Sequence, residues 1–471
     1  MIEDVTLVIG VDSSTQSTKA LVVEAETGRV VGEGRSPHPE GTEVDPQAWQ
    51  VACDRAMAEA RGNVAEPIAA IAVAGQQHGL VTVDADGRPV RPALLWNDTR
   101  SAAETERFVA KHGPERLAEL TGSVPVPSFT VTKLAWLAEH EPAAADRVDR
   151  VMLPHDFVSW RLAEPGSEPA TDRGDASGTG YFSPHTGEWL PDLLSEAFGG
   201  RTPRLPRLLG PAESSGRTTD GMLIAAGTGD NMGAALALKA GPGDVVVSLG
   251  TSGTVFAVTE KGSADATGFV AGFCDATGRY LPLVCTLNAA RVLTATAALL
   301  GTDLAGLDAL ALRAEPGSGG LVLVPYLDGE RTPNLPDASG TLTGIRRTNL
   351  TPENMARAAV EGMLCGLADG LAELRRVGVQ ARRVLLIGGA ARSAAVQAVA
   401  SGLFDAPVEV PEPAEYVALG AARQAAWALS GAAEPPDWPV HAEALPPTGG
   451  GAEVRAAYTA AVAQIHGHVG W

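Results

Sequence analysis

The stretch Met222–Val258, MLIAAGTGDNMGAALALKAGPGDVVVSLGTSGTVFAV, decides how the rest of the chain is read. Its first apolar run, Met222 to Ala226, predicts a buried strand. Gly227-Thr228-Gly229-Asp230 then turns into a small-residue helix, an order that presents free backbone N–H groups and one carboxylate at a helix N-terminus. Val245–Val247 and Val255–Val258 flank Ser248-Leu249-Gly250-Thr251-Ser252-Gly253-Thr254, which predicts a hairpin with an amide- and hydroxyl-rich tip. A carboxylate beside such a tip is the equipment of phosphoryl transfer to an alcohol: the hydroxyl needs a base and the phosphates need donors. Asp230 also suits an ordinary N-cap and the tip an ordinary turn. The chemical reading therefore depends on a second copy of the pattern.

The second copy lies at the N-terminus. An apolar run from Val5 to Val11 ends at Asp12, Ser13-Ser14-Thr15-Gln16-Ser17-Thr18-Lys19 follows, and Ala20–Val23 and Arg29–Gly34 continue as strands. Overlaying the tips sets Asp12 against Ser248, Thr15 against Thr251 and Thr18 against Thr254. This predicts a duplicated α/β fold with one tip from each half facing a shared cleft. The chain, at 471 residues, is long enough for two domains.

Composition narrows the classes. With 45% hydrophobic and 20% charged residues the chain is globular. A net charge of −20 argues against nonspecific nucleic-acid or anionic-membrane binding, since both need basic surface. Cys53, Cys274, Cys285 and Cys365 are scattered without a CxxC pair, which predicts reduced thiols, no structural metal and a cytoplasmic location. Glu3 and Asp4 lead straight into a strand, so no signal peptide is expected, and no apolar run reaches membrane length.

Between and beyond these tips, Pro46 opens a helix to about Arg61, and Ile68–Ala74 predicts a buried strand ending in Gly75-Gln76-Gln77-His78-Gly79. Leu80–Asp84 returns as a strand, and Pro92–Trp96 leads into Asn97-Asp98-Thr99-Arg100, so polar and aromatic groups gather as in a small-molecule pocket. Residues 101–217 read as helical and loop-rich. Gly320–Leu327 predicts a buried strand feeding Asp328-Gly329-Glu330-Arg331-Thr332-Pro333. A long helix runs from Pro352 to about Arg376, where Gly362, Gly366 and Gly370 form a small-residue stripe expected to pack against a second helix. Arg383–Ile387 is a strand into Gly388-Gly389-Ala390-Ala391-Arg392-Ser393, a bare turn against which a ring or sugar can lie, followed by helices over Ala394–Leu403 and from Glu415.

Together these segments resemble the FGGY sugar kinases, of the sugar kinase, Hsp70 and actin superfamily, from Ile9 to about Ala422. Asp12-x-x-Thr15 resembles the first phosphate loop, SLGTSG at Ser248–Gly253 the second, and LIGGAARS at Leu386–Ser393 the adenosine motif. GQQHG, LLWND, PYLDGERTP and GDN are most similar to the branch that phosphorylates D-xylulose.

The resemblance implies two ribonuclease-H-like domains, residues 1–240 and 241–471, around a central cleft. It implies ATP-dependent phosphorylation of D-xylulose at its C5 hydroxyl, with ribulose, gluconate or glycerol as alternative acceptors. A non-catalytic ATP-binding switch is the alternative of a different class. Asp230 is implied as the general base, expected to be kept ionised by the helix dipole. Gln77, His78, Asn231 and Trp96 are implied as sugar contacts. Ser14, Thr15, Gly250, Thr251, Ser252, Gly389, Ala390 and Ser393 are implied around ATP. Asp12 is implied as a second catalytic carboxylate, with Asp12 and Asp230 near Mg²⁺, directly or through water. The implied partners are the sugar and ATP alone; a homodimer is one assembly open to the chain.

Three positions, in two motifs, depart from the family pattern. Ser14 and Ser17 stand where glycines are usual, so this loop must avoid positive φ or hold different hydroxyl contacts. Gln77 stands where methionine is common, and its amide can bond a sugar hydroxyl that methionine only packs against.

Overall fold

The computed structural model describes residues 5–62 and 64–467. Glu3 and Asp4 lie outside the described residues. The chain forms two compact units. Unit 1 combines Met1–Lys239, Glu260–Leu281 and Ala414–Pro439, and unit 2 combines Ala240–Thr259, Pro282–Pro413 and Val440–Trp471.

Unit 1 is built on a mixed sheet. Its strands are β1 (Leu7–Ser13), β2 (Ser17–Glu24), β3 (Val30–Pro37), β4 (Ile68–Gly75), β5 (Ser214–Arg217) and β6 (Leu223–Ala225), ordered β3-β2-β1-β4-β6-β5. β3, β2 and β1 are antiparallel neighbours, β1–β4 and β4–β6 are parallel, and β5 returns antiparallel on β6. The register sets Asp12 opposite Lys19 and Ser13 beside Gly75, so both loops leave from the same end of the sheet.

The run Val8–Val11 is unbroken because both sheet faces are covered. Ile9 and Val11 pack with Trp49, Cys53 and Ala56 of α1 (Pro46–Arg61), whose first turn is capped by Asp45 accepting from Gln47 N at 3.0 Å. Val8 packs on the opposite face with Ala418, Ala422 and Ala425 of the helix Tyr416–Ser430. Gly10 permits that approach: a Cβ there would lie 2.0 Å from the Ala418 carbonyl oxygen. Two more helices bear on the site, α2 (Pro154–Leu162) and α3 (Asp230–Ala237).

Unit 2 repeats the plan with β7 (Asp244–Leu249), β8 (Gly253–Ala257), β9 (Tyr280–Thr286), β10 (Arg383–Ile387), β11 (Val408–Pro411) and β12 (Ala442–Ala444). Their order is β9-β8-β7-β10-β11-β12, with β7 antiparallel to β8, parallel to β10, and β11 antiparallel to β12. The sequence of pairings is the one found in unit 1, which bears out the duplicated α/β fold. The expected strand over Gly320–Leu327 is confined to Val322–Val324, paired antiparallel with Thr341–Thr343.

The glycine stripe of α4 (Pro352–Arg376) meets strands at Gly362 and Gly370, and the helix Gly451–His466 at Gly366. A Cβ on Gly362 would sit 2.2 Å from the Leu323 carbonyl oxygen, and one on Gly370 would sit 3.2 Å from Val255 and Val284. Small-residue spacing marks a flat helix face but says nothing about what covers it. A Cβ on Gly366 meets only the Tyr458 hydroxyl at 3.8 Å. Gly366→Ala is therefore expected to stabilise the protein by up to about 1 kcal/mol through helix propensity. Gly362→Ala should destabilise it by about 1–3 kcal/mol through overpacking. Denaturant melts of the two variants check the contrast.

No disulfide joins the cysteines. Among the described residues no single helix is long and apolar enough to cross a membrane, and the apolar pair Ala290–Leu299 and Leu304–Ala311 turns through 90° between its members.

Candidate active site

In unit 1 the ends of β1 and β4 and the start of α3 bring the predicted residues together. Asp12, at the end of β1, is 3% exposed. Its carboxylate accepts the Ser14 hydroxyl and lies 3.7 Å from Lys19 Nζ, which also pairs with Glu415 at 2.6 Å. Burial raises the Asp12 pKa to about 6, against the pull of Lys19 and Ser14. Positive φ among non-glycine residues is confined to His78, Lys239 and Ser318 within the described chain. Ser14 and Ser17 thus keep ordinary backbone geometry, and the Ser14 hydroxyl is spent on Asp12. Thr15 accepts the Trp96 indole N–H at 2.8 Å, so a residue expected at the phosphates and one expected at the sugar touch each other.

Asp230 is the first residue of α3, and Gly229 holds the N-cap position without a side-chain cap. Asp230 is therefore not an N-cap. Its Oδ1 accepts from Asn231 N and Asn231 Nδ2, both at 2.7 Å. Contrary to the helix-dipole expectation, its pKa is pushed up to about 7, first by burial and then by the Asp12 carboxylate. Removal from water outweighs the few N–H groups of one short helix.

Asn231 Nδ2 also reaches Gln77 Oε1 at 3.5 Å. Gln77 is buried with its Nε2 unpartnered, and beside it Gln76, 1% exposed, has neither amide atom bonded. His78 sits at φ 67°, stacks on Phe129 with ring centroids 4.7 Å apart, and approaches the Gly178 carbonyl through Nδ1 at 2.7 Å. A carbonyl only accepts, so Nδ1 carries the proton.

Unit 2 carries the remaining expected residues. Ser248 pairs with Ile387, so the SLGTSG tip and the Gly388–Ser393 turn lie on adjoining strand ends. Gly388, at φ 93°, is required by backbone: its Cβ would fall 2.6 Å from the Leu249 carbonyl oxygen. Gly389 is exposed, and a Cβ there would meet nothing within 4 Å, so it keeps a surface bare rather than filling a tight corner. Ala390 follows it in the short 3₁₀ turn Gly389–Arg392. Gly250 and Thr251 are exposed at the tip; Gly250 O accepts from Ala290 N at 3.0 Å and Ser252 Oγ accepts from Arg291 at 3.4 Å. Ser393 caps α5 (Ala394–Leu403), accepting from Val396 N at 3.0 Å, and its hydroxyl donates to Asp308.

Several residues at these sites are not singled out by sequence. Lys19 is signalled only by its register opposite Asp12. Gln76 stands within GQQHG, where the motif gives it no role. Glu330 of PYLDGERTP accepts from Thr286 Oγ1 at 2.7 Å, Leu287 N at 2.8 Å and Asn288 Nδ2 at 3.0 Å, tying that motif to the end of β9.

Residues 7–249 match the model of the FGGY family of carbohydrate kinases, N-terminal domain, and residues 245–429 its C-terminal domain. The xylulose kinase of Streptomyces rubiginosus is 49% identical over 440 residues, covering 90% of this chain and 88% of that kinase. The crystal structure of xylulose kinase from Bifidobacterium adolescentis superposes with a TM-score of 0.87 at 42% identity, covering 97% of this chain and 99% of that one. Gluconate kinase from Lactobacillus acidophilus, at 20% identity and a TM-score of 0.90 over 99% of both chains, shares the fold. With a duplicated α/β architecture and both domain models matched along its length, the chain belongs to the FGGY family of carbohydrate kinases.

Proposed function

We propose that the protein is a xylulose kinase, transferring the γ-phosphoryl group of ATP to the C5 hydroxyl of D-xylulose. The observation that carries this reading is the junction of β4 and α3. There a partly buried carboxylate with a pKa near 7, Asp230, adjoins the unpartnered Gln77 amide N–H₂ and the left-handed His78. A buried donor without a partner is costly unless a ligand supplies the acceptor. Backbone strain of the His78 kind gathers at functional positions.

In this reading Gln77, His78, Asn231 and Trp96 hold the sugar. Asp230 accepts the proton of the acceptor hydroxyl as that oxygen bonds to the γ-phosphorus and the bond to the ADP oxygen breaks. The backbone N–H of Ser14 and the donors of Thr15, Gly250, Thr251 and Ser252 serve the phosphates, and Gly389, Ala390 and Ser393 the adenosine. Asp12 and Asp230 suit a hard divalent cation: they offer oxygen ligands, and each carboxylate is poised near neutrality by burial, so a cation would relieve both. Mg²⁺ held there, directly or through water, supplies charge neutralisation for the transferring group. Such an ATP-consuming enzyme belongs in the cytoplasm.

The test is ADP release with Mg·ATP across D-xylulose, ribulose, gluconate and glycerol. D-xylulose is expected to give the highest kcat/KM. Preference for another acceptor overturns the substrate, and turnover indifferent to every sugar overturns the kinase reading in favour of a nucleotide switch.

A further inference from the structure

A buried segment outside the sequence motifs ties two of the site residues together. Asp172 accepts the Thr228 hydroxyl at 2.8 Å through Oδ2, and Thr228 leads through Gly229 into Asp230. At the other end of the same segment, Gly178 O holds His78 Nδ1 at 2.7 Å. Between them runs the short helix Arg173–Ala176, closed by Asp172 accepting from Gly174 N at 2.9 Å and Asp175 N at 2.8 Å, and by Gly178 N bonding Asp175 O at 2.9 Å. Ser177 Oγ locks it further, donating to Gly174 O at 2.6 Å.

The segment is pinned from behind by His155 of α2. Its Nδ1 bonds Asp175 Oδ2 at 2.6 Å, and its Nε2 lies 3.3 Å from Asp156 Oδ1. His155, Asp156 and Asp175 are all essentially without exposure. Burial disfavours a charged imidazole, but Asp156 and Asp175 outweigh it and hold His155 protonated, with a pKa raised to about 10. The ring also fills the space left by two glycines: a Cβ on Gly227 would meet it at 2.7 Å, and one on Gly75 would meet His155 Cβ at 2.9 Å. These glycines lie in the turn that leads to Asp230 and at the end of β4 that leads to Gln77 and His78.

We propose that the segment Asp172–Gly178, anchored by His155, is a positioning brace that fixes Asp230 and His78 relative to each other, with Thr228 and Gly178 as its two arms. A phosphoryl acceptor must be held by one group while another reaches its proton, and displacements near 1 Å are enough to cost large factors in rate. Buried hydrogen bonds such as those made by Asp172 and His155 restrict the segment they tie down. The brace rests on the roles proposed above for Asp230 and His78.

The arms can be cut separately. Thr228→Val keeps shape and removes the hydroxyl, while Asp172 retains its two backbone donors. It is expected to lower kcat about tenfold or more, with KM for ATP within about twofold, and Thr228→Ser is expected to recover kcat to within about threefold. Gly178 has no positive φ, so Gly178→Ala is accepted by the backbone, but its Cβ would fall 2.6 Å from His78 Nδ1. It should raise KM for the sugar about tenfold with a smaller change in kcat.

Thermal melts and KM for ATP separate this pattern from general loosening. Wild-type kcat in folded Thr228→Val, or equal losses toward ATP and sugar in both variants, overturns the brace. Should Thr228→Val not fold, an unchanged sugar KM in Gly178→Ala overturns it alone. Ratios to wild type are taken on whichever sugar the wild type turns over. Failure of D-xylulose as a substrate therefore counts against the proposed function and leaves the brace decided by its own numbers.

Discussion

Asp230→Asn is expected to lower kcat by about 10²–10⁴-fold, the range that general-base catalysis contributes, with KM for ATP little changed. Asparagine keeps the size of the side chain and the oxygen that accepts from Asn231 N, but it has no basic form to take the hydroxyl proton. A purely structural Asp230 would predict otherwise. The helix cap is Gly229, so exchange of Asp230 for asparagine removes no cap, and a folded variant should then turn over normally. The pH profile supplies a second reading. A base whose pKa is raised to about 7 is lost by protonation on the acid side, so kcat/KM of the wild type should fall as pH drops through that value. The residual activity of Asp230→Asn should lack this limb. Near-normal kcat in a variant shown by melting to be folded would remove Asp230 from the mechanism.

His78→Ala carries the second large effect. The ring is held in a definite tautomer by Gly178 and stacked on Phe129, so its orientation is fixed. Loss of one polar contact to the substrate should raise KM for the sugar by about 10–100-fold. KM for ATP should stay near wild type, because the residues proposed for ATP lie on other loops. Removing the stacked ring also leaves space beside Phe129 and Phe273, so a lowered melting temperature is expected with it. An unchanged KM for every sugar turned over would take His78 out of the site.

The strands and loops that carry these residues were legible because their cause is local. Val8–Val11 and Val245–Val247 are continuous apolar runs, which only strands covered on both faces allow, and each ends in residues fit for a tip. The same signal overreached at Gly320–Leu327, where Pro325 and the turn residues after it limit the pairing to Val322–Val324. The α4 stripe was legible as a flat face, but its expected helix partner is met only at Gly366, because spacing on one helix carries no information about the element opposite. Asp230 was found by its place after a glycine turn, yet the direction of its pKa was reversed, since burial and the approach of Asp12 arise only in the folded chain. The least legible contacts are those with long separation in sequence. Ser393 meets Asp308 across 85 positions, and Thr228 meets Asp172 across 56. Nothing in either short stretch announces its mate.

The discontinuity of unit 1 has a consequence for how the protein is made. Its sheet emerges from the ribosome within the first half of the chain, but one face of that sheet is closed by the helix Tyr416–Ser430. Val8, Ala70 and Ala72 therefore lack the cover of that helix until nearly the whole polypeptide has been synthesised. A chain released early, or cut after Lys239, would hold an apolar sheet face open to water, the kind of surface that draws chaperones or aggregates. Its N-terminal half is thus a poor candidate for expression alone, whereas a version supplied with residues 414–439 restores the missing layer.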